Sequence, residues 1–332
     1  MTTYTNASTA LPALAHTLLE EGDEVGSRDG DGRSRVLELI HEQITLGHPE
    51  QREILTPGRG ANLYAQMAET MWVLSGRNDV AWLERYLPRA ADFSDDGDVW
   101  RGGYGPRLRH WGPDGVDQIQ NAINLLRDDP LTRRAVVQIY NPSLDSMPGK
   151  DIPCNNWIHF LSRNGKLYTH VAIRSNDLIW GWSGINAFEW SVLSEIVAGE
   201  LGILLGPITF SVSSLHCYDR HWRKLTRLAS VHGDGDPHAA LAEPIRYHGQ
   251  RGTWSSLINK WMKLEARISG NRESNHELLA DIAAFPEPML KMWLYGMMTY
   301  WRGVPLPATY RGTAFSLAAS NSSRFTAYNK EH

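Results

Sequence analysis

The spacing of apolar residues predicts three helices in the first two thirds of the chain. In "ANLYAQMAETMWVLS" (61–75), leucines and methionines recur three or four positions apart, which is the spacing of one helix face. "VDQIQNAINLLRDDP" (116–130) repeats this pattern, and Pro130 marks the end of its helix because proline cannot continue one. "AFEWSVLSEIVAGEL" (187–201) predicts a third helix.

Apolar runs rich in β-branched and aromatic residues predict strands between these helices. The runs are "AVVQIY" (135–140), "WIHFLSRNGKLYTHVAIRS" (157–175) and "ITFSVSSLHCY" (208–218). The second run is interrupted by Asn164 and Gly165, which suit a two-residue turn in which both residues take a positive φ. This run therefore predicts a β-hairpin.

The remaining segments indicate loops, and towards the C-terminus the predicted strands give way to helices. Glycine and charged residues crowd segments 21–35 and 92–114, which indicates loops. Beyond the last predicted strand the pattern is mostly helical. The elements together predict an α+β fold with a mixed sheet flanked by helices. We divide the chain into an N-terminal segment (1–24), a core (25–225) and a mostly helical extension packed on the core (226–332).

Composition narrows the class of protein. The formal net charge of −4 argues against non-specific binding to nucleic acid, although local basic clusters can still hold a phosphate. The chain has two cysteines in 332 residues and no CxxC pair, so we expect neither a disulfide framework nor a metal site. It has no recognisable signal peptide and no uncharged apolar run of about 18 residues, so we expect a cytoplasmic protein without a membrane partner.

Cys154, in "DIPCNNWIHF" (151–160), is the first candidate for chemistry. A lone cysteine is more often a small buried hydrophobic residue than a nucleophile. A nucleophilic cysteine needs nearby cations that favour the thiolate. Arg133 precedes one predicted strand and Arg174 ends another, so adjacent strand ends could bring both arginines near Cys154.

Arginines at these positions also suit a phosphate. Paired arginines such as Arg133 and Arg134 usually lie on a solvated surface. Arg174 next to Ser175, in contrast, combines a bidentate clamp with a hydroxyl donor, which a phosphate monoester requires. Arg28, in its Gly-rich segment, could close over the same dianion.

Other polar residues each allow a structural and a functional interpretation. Asp177 could bind the backbone of a turn, and Asn186 could cap the following helix with Glu189 as its capping-box partner. His216 and Tyr218 face one side of a strand, either as core residues or as a grip on a sugar hydroxyl. The cysteine between them points the other way and is expected to be structural.

Glu69 lies on an otherwise apolar predicted helix. At the boundary of that helix it would have no special role. Buried, it would have a raised pKa and could transfer protons.

Taken in order, these motifs resemble the thymidylate synthase superfamily over about residues 25–225. "IRSNDLIWGW" and "SSLHCYDRH" look most like the phage deoxycytidylate hydroxymethylases, as does Asn156 two residues after Cys154. Asn155 stands where the synthases proper usually carry histidine directly after the nucleophile. The length and the C-terminal extension look closest to a CMP hydroxymethylase of antibiotic biosynthesis. The motifs that carry the resemblance are "SRDGDG", "AETMWVLSG", "YGPRLRHW", "DPLTRRAVVQIYNP", "IPCNN", "GKLYTHVAIRSND", "WGW" and "SLHCYDRH".

The resemblance implies a homodimeric, folate-dependent transferase. Cys154 would add to C6 of a pyrimidine nucleoside 5′-monophosphate, here CMP or dCMP, and 5,10-methylenetetrahydrofolate would supply a carbon to C5. Water would then add to that carbon, whereas a synthase reduces it. The implied roles are catalysis by Cys154, Glu69, Asp177 and Tyr104; phosphate binding by Arg28, Arg174 and Ser175, with Arg133 and Arg134 from the second subunit; base and sugar binding by Asn186, His216 and Tyr218; and folate binding by Asp177, Trp72 and Trp180.

Departures from the family pattern leave alternatives open. The base-reading residue of the family lies eleven positions after the arginine of its "RS" pair, and the same count from Arg174 reaches Ile185 rather than Asn186. Cytosine and uracil are therefore not distinguished. The last residues, "SSRFTAYNKEH", lack the apolar tail of the synthases, which favours hydration over reduction.

Four other functions remain as alternatives. Two are similar to the hydroxymethyl transfer to CMP or dCMP: a thymidylate synthase that methylates dUMP and a dUMP hydroxymethylase. The third is a cysteine hydrolase that uses Cys154, His216 and an asparagine, and it predicts activity without folate. The fourth is a non-catalytic nucleotide- or RNA-binding relative, which the acidic net charge disfavours.

Overall fold

A mixed sheet of eight strands lies at the centre of the computed structural model, which describes residues 2–26, 35–270 and 272–322. The strand order is β1-β3-β8-β6-β5-β4, with β2 beside β3 and β7 beside β8. β8 runs parallel to β6 and antiparallel to β3. The strands are β1 (Thr2–Tyr4), β2 (Asp23–Gly26), β3 (Arg35–Leu46), β4 (Val136–Gln138), β5 (Asn155–Arg163), β6 (Lys166–Ile173), β7 (Asn176–Asp177) and β8 (Leu204–Tyr218).

Helices flank this sheet, which confirms the predicted α+β fold. No helix in the described ranges is both long and apolar enough to cross a bilayer. The helices are α1 (Ala7–Glu21), α2 (Leu63–Leu74), α3 (Val80–Leu83), α4 (Tyr104–Arg109), α5 (Gln118–Asp128), α6 (Pro142–Asp145), α7 (Ala187–Leu201), α8 (Trp222–Ala229), α9 (Trp254–Ser269), α10 (Asn275–Ala283), α11 (Pro288–Arg302) and α12 (Ala314–Asn321).

The elements with the clearest apolar periodicity form where they are predicted. α2, α5 and α7 correspond to the three predicted helices. β5 and β6 form the predicted hairpin, and its turn residues Asn164 and Gly165 have φ angles of 51° and 71°. Both values lie in the left-handed region that a type I′ turn requires.

The prediction of a loop over 92–114 is wrong in its second half, where α4 forms. This short helix is held by tertiary contacts rather than by helix propensity. Its buried Arg107 donates to both carboxylate oxygens of Asp145 at 2.6 and 2.8 Å. Gly105 lies so close to the backbone of Arg77 that a Cβ would stand 2.1 Å from that carbonyl oxygen. The prediction of a loop over 21–35 is also wrong for Asp23–Gly26, which form β2.

The first helix and the described C-terminal helices pack on the central layers. α1, which the sequence pattern did not predict, begins with a capping box between Asn6 and Thr9 and packs against β3 and α8. In the C-terminal region α9 and α11 pack on each other and on α2. Glu265 of α9 is fully buried and accepts hydrogen bonds from Trp82 and Arg85, at 3.1 and 2.9 Å. The C-terminal region is thus mostly helical, as predicted, while the division into three segments stays a prediction.

Candidate active site

Cys154 lies immediately before β5, partly buried, beside the end of β6. The amide N–H of Arg174 donates to the carbonyl oxygen of Cys154 at 2.9 Å. The Arg174 guanidinium lies 3.9 Å from Sγ, and it also donates to the carbonyl oxygens of Ile152 and Pro153, at 2.8 and 3.0 Å. The predicted proximity of Cys154 and Arg174 is therefore observed, and a cation next to the sulfur favours the thiolate.

A chain of polar side chains continues from Cys154 into the protein. Asn155 is fully buried, and its amide nitrogen donates to the hydroxyl of Tyr104 at 2.7 Å. The amide oxygen of Asn155 accepts from the indole N–H of Trp190 at 3.1 Å. Burial, followed by the charge of Cys154, raises the pKa of Tyr104 well above its ordinary value. Tyr104 therefore lies beside the thiol as a neutral phenol.

Two carboxyl groups share this end of the sheet. Glu69 lies on α2, partly buried, and burial followed by repulsion from Asp151 raises its pKa to about 7. Asp151 accepts a hydrogen bond from the indole N–H of Trp100 at 2.5 Å, and burial raises its pKa as well. Burial thus raises the pKa of Glu69, as expected, while its role in proton transfer stays a prediction.

Glu189, in the first turn of α7, is a third carboxyl, for which the sequence allowed the role of capping-box partner to Asn186. Its side chain is only 1% exposed, and neither carboxyl oxygen has a hydrogen-bond partner among the described residues. Burial, followed by repulsion from Glu69, raises its pKa well above the ordinary range. The capping box that Asn186 and Glu189 could have formed is absent, because the Asn186 side chain makes no cap hydrogen bond.

Asp177 begins a π-helix (Leu178–Asn186) that leads directly into α7. Its Oδ1 accepts hydrogen bonds from the backbone N–H groups of Ile179 and Trp180, so the structural interpretation of Asp177 holds. Its Oδ2 is buried and has no hydrogen-bond partner in the described part of the chain. The adjacent Trp180 ring is 59% exposed, and its indole N–H donates to His221 at 3.0 Å.

Arg59, which the sequence analysis did not single out, lies behind this π-helix. It is buried and donates to the hydroxyl of Ser183 at 2.8 Å and to the carbonyl oxygen of Ile179 at 2.6 Å. Burial lowers its pKa to about 10, and the charge of Asp177 opposes this effect. The "PGRG" context of Arg59 resembles an ordinary loop, so no local signal marked it.

His216 and Tyr218 lie on one face of β8, next to Asp177. β7 pairs with β8 so that Asp177 is in register with His216. The rings of His216 and Tyr218 are perpendicular, with centroids 5.3 Å apart. The guanidinium of Arg220 lies 4.1 Å from the centroid of the Tyr218 ring. Cys217, between them, is fully buried, and burial raises the pKa of its thiol to about 12, as expected for a structural cysteine.

Arg133 and Arg134 are exposed and lie at the opposite end of β5 from Cys154. β4 is antiparallel to β5, and Arg163 at the far end of β5 anchors the segment before β4 through the carbonyl oxygen of Leu131 at 3.0 Å. The prediction that adjacent strand ends bring Arg133 to Cys154 is therefore wrong within one chain, where about 25 Å of strand separates them.

The remaining predicted site residues differ in their surroundings. Ser175 is partly buried next to Arg174, and Asn186 is buried at the junction of the π-helix with α7. Trp72 is 2% exposed, and its indole N–H donates to the carbonyl oxygen of Asp79, so its burial argues against direct contact with folate. Arg28 lies outside the described residues.

The thymidylate synthase family model matches residues 11–245, most of the chain. The chain belongs to the thymidylate synthase family. Among its relatives is a deoxyuridylate hydroxymethyltransferase of Bacillus phage SP01, 38% identical over 232 residues, which cover 66% of this chain and 60% of the relative. The deoxyuridylate hydroxymethyltransferase of Delftia phage PhiW-14 is 38% identical over 279 residues, 79% of this chain and 76% of the relative. That of Pseudomonas phage M6 is 34% identical over 252 residues, 72% and 70% of the two chains.

Membership of the thymidylate synthase family defines the class of reaction. The protein is a folate-dependent one-carbon transferase, with methylenetetrahydrofolate as co-substrate and a pyrimidine nucleotide as acceptor. The predicted resemblance to the hydroxymethylase branch of the superfamily is confirmed. In the part of the chain that the structure describes, no group of three or more His, Cys, Asp or Glu side chains could hold a metal ion.

Proposed function

We propose that the protein is a C5-hydroxymethyltransferase of a pyrimidine nucleoside 5′-monophosphate. The observation that carries this proposal is the partly buried sulfur of Cys154, 3.9 Å from the Arg174 guanidinium, in a site that also holds Glu69. The names of the phage relatives, which are 34% to 38% identical, support hydroxymethyl transfer rather than methyl transfer.

The relatives' names also favour deoxyuridylate as the acceptor. The sequence-based expectation of CMP or dCMP is not confirmed, and dUMP is at least as well supported. Asn186 suits either base, because its amide can present a donor or an acceptor to the pyrimidine edge. Its side chain does not cap α7, which leaves the amide available for this role. We therefore take dUMP as the first acceptor to test and the cytidylates as the second.

In the proposed mechanism the chain supplies a nucleophile and proton-transfer groups. The Cys154 thiolate adds to C6 of the pyrimidine, which makes C5 a carbon nucleophile. Glu69, with a pKa of about 7, exchanges protons at the 4-position of the ring near neutral pH. The neutral phenol of Tyr104, oriented by Asn155, donates to groups that become negative beside the sulfur.

The residues near Asp177 fit a folate. The buried Oδ2 of Asp177 lacks a partner among described residues and can accept hydrogen bonds from the N–H groups of a pterin. The exposed face of Trp180 offers a stacking surface beside it. When bound, methylenetetrahydrofolate supplies the one-carbon unit as an electrophile.

The nucleotide would be held by charged and polar groups around Cys154. Arg174 and Ser175 bind the 5′-phosphate in this proposal, and His216 and Tyr218 bind the sugar. Arg133 and Arg134 stand too far from Cys154 of their own chain, so the proposal assigns them to the site of a second subunit in a homodimer. Arg28 is proposed to close over the phosphate, and a cytoplasmic location stays a prediction.

One incubation tests the function. The protein is mixed with methylenetetrahydrofolate and each of dUMP, UMP, dCMP and CMP, and the products are identified by mass. A 5-hydroxymethyl nucleotide with tetrahydrofolate is the expected product pair. A 5-methyl nucleotide with dihydrofolate, which absorbs distinctly, would instead identify a thymidylate synthase. C154A serves as the control for uncatalysed product.

A further inference from the structure

Glu189 is an ionisable side chain that the mechanism above does not use. It is 1% exposed, and both of its carboxyl oxygens lack hydrogen-bond partners among the described residues. Burying a carboxyl group without partners costs free energy whether the group is neutral or charged. A residue that serves packing alone would not need this group.

Local helix structure does not account for Glu189 either. A carboxylate in the first turn of a helix usually binds free backbone N–H groups or favours the positive end of the helix dipole. α7 has no such free end, because the π-helix runs straight into it and Asn186 already has helical φ and ψ angles of −65° and −40°. Glu189 therefore lies within continuous helix.

The surroundings of Glu189 point to the reacting centre. The next residue, Trp190, donates to Asn155, which in turn donates to Tyr104 beside Cys154. α7 packs against α2, which carries Glu69, and the two carboxyls repel each other. The charge of Glu189 also acts on Tyr104. Two groups of the proposed catalytic centre, Glu69 and Tyr104, thus interact electrostatically with this carboxyl.

We propose that Glu189 is a second catalytic carboxyl, which with Glu69 binds the water that adds to the C5 methylene carbon and takes up its proton. The oxygen of water forms a bond to this carbon, and the electron pair of the exocyclic double bond moves into the ring. The proton of the water passes to the carboxyl pair. The ring then expels the thiolate of Cys154 and C5–C6 becomes a double bond again. This inference rests on the proposed hydroxymethyl transfer.

The substitution E189Q separates hydration from the earlier steps. Exchange of the C5 hydrogen of the nucleotide with solvent needs Cys154 but no folate, and we expect E189Q to keep it within about threefold of wild type. Formation of the 5-hydroxymethyl nucleotide should fall about 100-fold. With an added thiol such as 2-mercaptoethanol, which attacks the same methylene carbon, E189Q should give mainly the 5-thioether nucleotide. E189M, of similar volume, is the second variant should glutamine not be tolerated.

E195Q is the matched control, because Glu195 lies on the same helix, equally buried, but ion-paired with Arg52. We expect E195Q to lower the midpoint of thermal unfolding and to leave the ratio of hydroxymethyl to thioether product unchanged. E189Q should leave the midpoint of thermal unfolding unchanged and should shift the ratio of products towards the thioether. A wild-type product ratio in E189Q overturns the role of Glu189. If wild-type enzyme itself makes only a 5-methyl nucleotide, the proposed function fails instead, so the two failures are distinct.

Discussion

Arg174 and Cys154 are linked twice, once through the backbone and once through their side chains. The amide of Arg174 donates to the carbonyl oxygen of Cys154 at 2.9 Å, and its guanidinium reaches to 3.9 Å from the sulfur. The same guanidinium binds the two carbonyl oxygens that precede Cys154. One side chain therefore fixes the approach to β5 and places a positive charge beside the nucleophile.

Replacement of Cys154 by alanine should abolish turnover and spare binding. We expect the dissociation constant of dUMP to stay within about threefold, because the thiol bonds to C6 only during reaction. Calorimetric titration measures the binding of dUMP, and mass spectrometry of the products measures turnover. C217A is the control, and we expect it to lose about 1 kcal/mol of stability through a small cavity while it retains turnover. Wild-type turnover in C154A would contradict the assignment.

Arg174 should distinguish nucleotides from nucleosides. Loss of a charge-assisted contact to phosphate costs about 1.5 to 3 kcal/mol, so R174A should weaken dUMP binding by about 10- to 100-fold. Binding of deoxyuridine should change much less, and it controls for disturbance of the backbone that Arg174 holds. R174K, which keeps the charge without the planar fork, should be intermediate. Equal losses for nucleotide and nucleoside would show that Arg174 does not contact the phosphate.

Glu69 should make stability depend on pH. Its pKa rises from the ordinary 4.5 to about 7 in the folded protein, mainly through burial. Between these values the folded state keeps a proton that the unfolded chain has released, so this residue lowers stability as pH rises and the penalty is complete above about pH 7. E69Q cannot ionise, so its advantage in unfolding free energy should grow by about 2 to 3 kcal/mol from pH 4.5 to pH 8. The midpoints of urea unfolding for E69Q and wild type at the two pH values measure this difference.

The exposed Glu20 provides the comparison for this measurement. E20Q should follow wild type at both pH values, because its carboxyl is solvated in the folded protein as well. A pH-independent difference between E69Q and wild type would mean that Glu69 is ionised in the folded state at neutral pH.

Asp177 allows its structural and folate-binding roles to be separated. D177N keeps an oxygen for the two backbone N–H groups at the start of the π-helix, whereas D177A removes it and should cost about 1 kcal/mol. Both variants lose the second carboxylate oxygen. We expect both to raise the KM for methylenetetrahydrofolate about tenfold or more, with unchanged dUMP affinity. If only D177A raises the KM for methylenetetrahydrofolate, Asp177 has a structural role and does not bind the folate.

The sequence predicted those features that depend on local pattern. The hairpin follows from two turn residues that tolerate positive φ, and α2 and α5 follow from apolar periodicity. The proximity of Cys154 and Arg174 follows from that hairpin, since the residue before β5 lies opposite the residue after β6. These inferences needed no knowledge of distant contacts.

Features set by tertiary contacts were not predicted. α4 lies in a Gly- and Asp-rich segment, and its stability comes from the buried pair of Arg107 and Asp145. The sequence pattern allowed Glu189 a capping-box role because it could not show that a π-helix precedes α7. Arg133 was expected near Cys154 because adjacent strand ends could have met there, whereas the direction of β4 relative to β5 was not inferred. The errors at α4 and Arg133 each concern a contact between segments that are distant along the chain.

The direction of β4 relative to β5 has a consequence for mixtures of variants. If the arginines at the far end of β5 complete the site of a second subunit, C154A and the double variant R133A/R134A damage different halves of each site. Random exchange of subunits between these two inactive proteins would assemble one undamaged site in every hybrid dimer, or about a quarter of all sites. Two preparations without turnover would then regain activity on mixing, by complementation between subunits.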